Sequence, residues 1–319
     1  MEMVSDEDSL KSLIQHAVLA PSSHNTQPWR FRLSAPSIEL YADLERALPV
    51  NDPQNRELYI SCGCALMNLR VAVANAGWSS RVELLPDVSD RTLLARITIE
   101  NAPVDVALAK LFDAMLLRRT YRNRFKEEPL EAALQELLRH AAEMEQACLN
   151  IIATEDKRDE LIKLVREGDS LQWQNETWRR ELAQWLHSGR QGDGLKVPGL
   201  VAPLVRGVVR HFDMGRSMAS QDSFLADESP VLMLLSTEGD APRAWLQAGQ
   251  ALQRVLLEAQ RHGVQASYLN QPIQVAELRP QVQQAFAMDE FPQILLRMGY
   301  PDELLPASPR RPVDEVVAE

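Results

Sequence analysis

Apolar residues recur at helical spacing over long stretches of the chain, and short runs of strand length lie between them. The pattern predicts a helix over 8–19, a loop to Gln27, and strands over 29–33 and 38–41 joined through Ser34-Ala35-Pro36-Ser37. A long helix over 53–76 follows, then strands over 81–85 and 93–99. Residues 104–117 and 129–145 read as helices, the second opened by Pro. A strand over 149–153 leads into helical spacing over 157–187, and 231–236 is a continuous apolar run of strand length. Between about 188 and 227 the periodicity is interrupted by Gly189, Gly192, Gly194, Pro198, Gly199 and Pro203, followed by a Met-rich stretch. A loop of that length inside a folded chain is either functional, often a lid, or a connector. The last stretch, PASPRRPVDEVVAE from Pro306, reads as an exposed tail.

Two stretches resemble each other. GCALMNLRVAVANAGW from Gly63 and GQALQRVLLEAQRHGV from Gly249 share Gly, then Ala-Leu two residues on, helical apolar spacing, and a closing Gly fourteen residues after the first. Each is followed by a β-like run with an Arg after two apolar residues, LLARITIE and ILLRMGYP. The repeated order of helix, loop and strand points to an internal duplication.

Composition narrows the class. Of 319 residues 45% are hydrophobic and 25% charged, with 13 Gly and 19 Pro, which excludes a disordered, collagenous or disulfide-built chain. The net charge of -11 argues against nucleic acid or anionic lipid as partners. No uninterrupted apolar run nears the roughly 18 residues of a membrane span, and the acidic start lacks a signal peptide's positive segment, so a cytoplasmic protein is expected. Cys62, Cys64 and Cys148 have no companion cluster of metal-ligand spacing and read as buried structural thiols.

Three clusters could carry chemistry. APSSHNTQPWRF, residues 20–31, gathers small hydroxyls, two prolines and two amides between a helix and a strand, a set that matches the donor and acceptor edge of a planar heterocycle. A rigid turn delivering a strand is the plainer reading. His24 within it has no triad partner motif and reads as a packing residue. RRTYRNRF, residues 118–125, places four arginines and a threonine within seven positions, enough to fork onto a phosphate, or else to cap a helix C-terminus. Arg297 is a lone charge on an apolar strand and must find an anion or reach solvent, a structural carboxylate partner being the plainer reading. Trp173, Trp178 and Trp185 have the spacing of core or interface residues. No G-x-G-x-x-G, Walker A or zinc signature is present, and no metal is expected.

Together, these residues resemble a known family. APSSHNTQPW is similar to the P-S-S-x-N-x-Q-P-W element of the FMN-dependent nitroreductase family, and RRTYR to its R-R-S-x-R element. The resemblance implies an α+β fold with a central, mainly antiparallel sheet flanked by helices. Family members are homodimers with FMN at the interface, but here each motif occurs once, which resembles the twin-domain, Acg-like branch in which two halves are fused. The implied halves are 1–105 and 106–319, the second carrying the lid-like insert at about 188–227, and the implied content is one FMN per chain. A second site is not expected, because SDEDSLKSL stands where R-R-S-x-R would be and PLEAALQELLRHAAEME carries no P-S-S-x-N.

By position, the resemblance assigns Arg118, Arg119, Arg122 and Arg297 to the FMN phosphate and Thr120 to phosphate or ribityl oxygens. Pro21, Ser22, Ser23 and Asn25 would line the isoalloxazine with Gln27 nearby, and Asn270 and Gln271 would flank the ring where the family's Glu-Gly pair is missing. The flavin would carry the chemistry, so no side chain is expected to act as a catalytic base. The implied activity passes electrons from NADH or NADPH to a small electrophile, a nitroaromatic or a quinone. One alternative is an FMN-sequestering protein whose insert occludes the ring, and another is a member that has lost flavin and serves as an interaction module. Further association of the pseudo-dimeric chain stays open.

Overall fold

In the computed structural model, which describes residues 7–152, 154–188 and 192–318, the chain opens with α1 (Glu7–Ala17). Its apolar face, Leu10, Leu13, Ile14 and Ala17, is buried. β1 (Trp29–Ser34) and β2 (Ser37–Ala42) form a hairpin that alternates as a half-buried strand must, with Trp29 and Phe31 inward and Arg30 and Arg32 outward. α2 (Arg56–Asn75) follows, then β3 (Ser79–Leu84), β4 (Leu93–Glu100), and the short helices α3 (Val106–Ala109) and α4 (Phe112–Leu117). The single helix predicted over 104–117 is thus two pieces.

The chain continues with α5 (Ala132–Glu143), β5 (Cys148–Ile151), α6 (Glu155–Gln174) and α7 (Glu176–Gln184). The helix predicted over 157–187 breaks at Asn175, whose side-chain oxygen accepts from the amides of Thr177 and Trp178 to cap α7. A ribbon of β6 (Leu186–His187) and β7 (Leu195–Lys196) leads to α8 (Ala202–His211) and α9 (Gly215–Asp227). The expected long loop at 188–227 is therefore largely helical; its Gly and Pro residues gather around the ribbon and the start of α8 and leave the later residues free to form helix. Gly189, Ala153 at the end of the predicted strand, and the acidic residues 1–6 lie outside the described residues. β8 (Val231–Thr237), α10 (Pro242–Arg261), β9 (Gln265–Tyr268), α11 (Gln271–Gln274), α12 (Arg279–Ala285), β10 (Phe291–Gly299), α13 (Val313–Val316) and β11 (Val317–Ala318) complete the chain.

The strands form two principal sheets. One has the order β11-β1-β2-β4-β3 and the other β5-β8-β10-β9, and every pairing in them is antiparallel except β1 with β11. β8 is buried throughout, as its unbroken apolar run requires. β11 belongs to the last residues of the chain yet pairs with β1, Phe31 opposite Val317. The expected exposed tail is instead an ordered strap that returns to the first sheet, because Val316 is buried and Arg311 hydrogen-bonds the Gln27 carbonyl.

Between the sheets α2 and α10 cross at Gly63 and Gly249, the first residues of the two similar stretches. A Cβ on Gly249 would stand 2.1 Å from the Ile60 carbonyl oxygen, and one on Gly63 would stand 2.4 Å from that of Leu246. Only glycine allows this approach. Across the crossing Gln253 donates to the Asn68 oxygen at 2.6 Å, and Arg70 and Arg254 share the buried Glu145 carboxylate. One continuous apolar core draws on both sheets, α1, α2, α5 and α10. α2 has the length and apolar composition of a membrane-crossing helix, but its faces are buried inside the protein. Cys62 and Cys64 are buried free thiols whose ionisation burial pushes upward, while Cys148 is half-buried. Trp173 and Trp178 pack edge to face at 5.6 Å in a separate small cluster with Val209.

Candidate functional site

The loop after α1 holds an unusual backbone. His24, Asn25 and Gln27 all have positive φ, at 49°, 55° and 52°, although none is glycine. Three such residues in four positions persist only where other contacts fix them. Ser22 Oγ accepts from the Gln27 amide, and Ser23 Oγ donates to Glu57 Oε2 at 2.6 Å. Asn25 Nδ2 donates to the carbonyls of Gly194 and Pro309. Gln27, fully buried, donates to the Gly192 carbonyl at 2.8 Å and accepts from the Arg311 amide at 2.9 Å. Both amide side chains thus tie the loop to the β6–β7 ribbon and to the tail. Pro21 is buried and Ser22 and Ser23 are partly exposed, so the loop's open surface is made by the serines, His24 and backbone.

Beneath the loop lies an arginine cluster. Arg118 is buried and, among the described residues, hydrogen-bonds only the Leu19 carbonyl, and Arg119 donates to the carbonyls of Leu305, Leu116 and Arg118. Arg310 joins them from the tail, donating to the Asn25 side-chain oxygen and to the carbonyls of Leu19 and Ala20. Among the described residues none of the three has a carboxylate within ion-pair distance. Burial first, then the like charges of Arg118 and Arg119, push the Arg310 guanidinium down to about 9. The Nε atoms of Arg118 and Arg310 are buried without a partner. Three cations thus stand together with no counter-ion among the described residues, two of them with an orphaned Nε donor.

Arg122 and Arg297 belong to a different group. Arg297 is almost fully buried, donates to the carbonyls of Tyr121 and Asn123 at 3.1 Å each, and lies 4.8 Å from the centre of the Phe125 ring. It clamps the arginine segment, while Thr120 and Tyr121 dock that segment along β9 through Ala266. Arg122 is solvent-accessible although surrounded by protein, and its charge acts on His24, Tyr268 and Asp222. Arg118 and Arg119 thus group with Arg310, while Arg297 is held by the Tyr121 and Asn123 carbonyls and the charge of Arg122 reaches both the loop, at His24, and Asp222. Burial, with Arg122 adding to it, pushes the His24 imidazole down to about 4, and its Nε2 is buried without a partner.

Asn270 and Gln271 open α11. Asn270 Oδ1 accepts from the Leu295 amide at 2.9 Å, which fixes the loop to β10. As the first residue of α11, Gln271 has a backbone N–H with no partner inside the helix. Gln274, one turn on, donates to both Glu57 oxygens and accepts from Gln172 of α6. A part-buried polar path therefore joins Ser23, Glu57, Gln274 and Gln172. Glu57, Gln274 and Arg310 were not legible as site residues. Arg310 sits in a Pro-rich stretch that mimics a tail, and Glu57 is the one acidic residue of a long, mostly apolar helix, a signal that asks for a buried partner without naming it.

The profile of the nitroreductase family matches residues 115–300. A Mycobacterium tuberculosis protein provisionally named NAD(P)H nitroreductase acg is 33% identical over 97% of this chain and 95% of its own length. The chain belongs to the nitroreductase family. The Serratia protein provisionally named NAD(P)H nitroreductase PigM is 24% identical over 97% of this chain and 93% of its own. Among solved structures, FMN-dependent nitroreductase NfnB of Mycobacterium smegmatis, in complex with NADPH, aligns at 13% identity and a TM-score of 0.42 over 66% of this chain and 99% of that one. In this nitroreductase chain the profile match opens just before Arg118, so the 20–27 loop precedes it, whereas the resemblance to acg spans nearly the whole sequence.

Proposed function

We propose that the chain is an FMN-dependent oxidoreductase that binds one FMN between its two fused halves and passes electrons from NADH or NADPH to a small nitroaromatic or quinone. The observation that carries this reading is the uncompensated cluster of Arg118, Arg119 and Arg310 under the 20–27 loop. It fits a phosphate dianion, whose oxygens match the two orphaned Nε donors and neutralise one buried and two half-buried cations. When bound, the flavin supplies two-electron redox chemistry that no protein side chain here can perform.

The chain's own residues then have distinct tasks. Arg118, Arg119 and Arg310 hold the phosphate, and Thr120 stands beside them for the sugar chain. Ser22, Ser23 and His24 present the loop face, and Asn25 and Gln27 keep that face rigid by fastening it to the ribbon and tail. The neutral His24 offers an unpartnered ring nitrogen without adding positive charge. The Gln271 N–H would donate toward the ring, a role for which the backbone suffices and the family's Glu-Gly side chains are not needed. Arg122 supplies the cation that stabilises negative charge developing during reduction. The division into halves 1–105 and 106–319 is part of the same proposal, with the Gly63–Gly249 crossing as its axis.

The test is anaerobic mixing of the flavin-loaded protein with NADH or NADPH. Loss of the visible flavin absorbance, restored by a quinone or nitroaromatic, is the expected result. Absorbance unchanged with both dinucleotides refutes the activity.

A further inference from the structure

Glu57, in the first turn of α2, is 3% exposed, and donors from several segments converge on its carboxylate. Ser23 Oγ of the 20–27 loop donates to Oε2 at 2.6 Å. Gln274 Nε2 of α11 donates to Oε1 at 2.9 Å and to Oε2 at 3.1 Å. Asn51 Nδ2 reaches Oε2 at 3.5 Å, and the Arg56 guanidinium reaches Oε1 at 3.4 Å. The surrounding bonds fix which way these amides point. The Asn51 oxygen accepts from the Trp178 indole at 2.8 Å and the Gln274 oxygen from Gln172 at 2.8 Å, so each turns its NH2 toward Glu57.

A hydroxyl has one proton, and Ser23 gives its own to the carboxylate. Its oxygen is left with lone pairs alone, on a residue that is partly exposed. Ser22 is set the other way. Its oxygen accepts from the Gln27 amide at 2.9 Å, and among the described residues its own proton has no acceptor. Two adjacent serines of one loop therefore offer opposite polarity, a proton to give at Ser22 and an acceptor at Ser23 with a buried negative charge behind it. A phosphate dianion at Ser23 would meet a lone pair and that charge, both repulsive. Its place is at the other end of the loop, where Arg310 bonds Asn25 beside Arg118 and Arg119.

We propose that Glu57 is a positioning residue for the cofactor: by taking the Ser23 proton it makes Ser23 an obligate acceptor, which selects a hydrogen-bond donor of FMN for that end of the loop. The inference rests on the flavin reading above. In oxidised FMN the phosphate dianion and the ring carbonyls only accept, so the donors open to Ser23 are a ribityl hydroxyl or the ring N–H. The same carboxylate holds Gln274, one turn after Gln271, and so fastens the loop to α11, the two segments that would flank the ring. Glu57→Gln inverts the polarity without changing the shape. Arg56 and the shorter Gln274 bond favour keeping the amide oxygen at the ε1 position, so the new NH2 faces Ser23, donates to it, and turns the Ser23 proton out against a ligand group that is itself a donor.

The experiment is fluorescence titration of the flavin-free full chain with FMN and with N3-methyl FMN, which lacks the ring N–H. It compares the unmutated chain, Glu57→Gln, Ser23→Ala, the double variant and Ser23→Thr, with the melting temperature of each as the control for folding. Glu57→Gln should weaken FMN binding about 10-fold or more. Ser23→Ala should weaken it too, Ser23→Thr should not, and Glu57→Gln should add little once Ser23 is Ala. A loss in Glu57→Gln that persists with N3-methyl FMN assigns a ribityl hydroxyl as the donor, and one that vanishes assigns the ring N–H; either supports the selection. A merely structural Glu57 would lower the melting temperature and leave the two losses additive, which overturns the positioning role, as does an unchanged FMN affinity in Glu57→Gln. Should Glu57→Gln fail to fold, equal affinities in Ser23→Ala and Ser23→Thr overturn the acceptor. An unmutated chain that takes up no FMN overturns the flavin reading, and this inference with it, whereas FMN bound equally well by the folded Glu57→Gln overturns this inference alone.

Discussion

Arg310 donates to the side-chain oxygen of Asn25 at 3.2 Å across 285 positions of sequence. This contact joins the loop that would line the flavin to the tail that returns over it, and it sets a third guanidinium beside Arg118 and Arg119. Charged hydrogen bonds contribute about 1.5–3 kcal/mol each. Arg310→Ala is therefore expected to weaken FMN binding roughly 10- to 150-fold, with Arg118→Ala similar. Titration of FMN fluorescence against the apoprotein measures it, and an affinity unchanged in both variants means that the cluster does not hold the phosphate.

His24 should stay neutral throughout the physiological range. Its value in the folded chain is lowered to about 4 from 6.5, so on acidification the unfolded chain takes up the proton first. The resulting stability is fully present above 6.5 and is lost as pH falls toward 4. The imidazole C–H resonance in an NMR titration is expected to hold its neutral position down to pH 5. His24→Asn, which tolerates the positive φ, should flatten part of the acid arm of the stability curve.

The Gly63–Gly249 crossing tolerates no side chain. A Cβ on either residue meets backbone, which cannot rotate away, so α2 and α10 must separate. Overpacking costs about 1–3 kcal/mol, and Gly249→Ala and Gly63→Ala should each lower the melting temperature by several degrees in thermal unfolding. One separation of the helices accommodates both methyl groups, so the double variant should lose less than the sum. Strict additivity would place the two glycines at separate contacts.

This crossing shows what the sequence can disclose. The similarity of the stretches from Gly63 and Gly249 was visible, as were the strands around Phe31, Leu94 and Leu234, because their periodicity follows directly from burial on one face or two. The motif residues Arg118, Arg119 and Ser22 were likewise legible through their resemblance to a family pattern. Arg310 was not, since a Pro-rich polar stretch has the same composition whether it hangs free or straps a sheet. Asp169 of α6 and Asp222 of α9 were hidden for a related reason: each sits among polar helical neighbours, and only the fold shows that both accept from Gln271 Nε2. Arg297 was recognised as needing a partner, yet its partners are carbonyl oxygens, which no side-chain pattern reveals.

Gln27 should matter for order more than for chemistry. Gln27→Leu keeps the apolar volume but leaves the Gly192 carbonyl and the Arg311 amide without their partner, and each buried loss costs about 1–3 kcal/mol. Faster hydrogen exchange is expected in the β6–β7 ribbon and around Arg311, with the β8–β10 sheet unaffected. Unchanged exchange in both segments would show that the tail and ribbon are fastened elsewhere.

The central claim, one flavin site in a chain of two fused halves, is tested most directly by the visible absorption spectrum of the purified protein after incubation with FMN and removal of the excess, with the released chromophore quantified against chain concentration. The account expects a flavin spectrum at one FMN per chain. A colourless protein that takes up no FMN, or a stoichiometry of two, would contradict it.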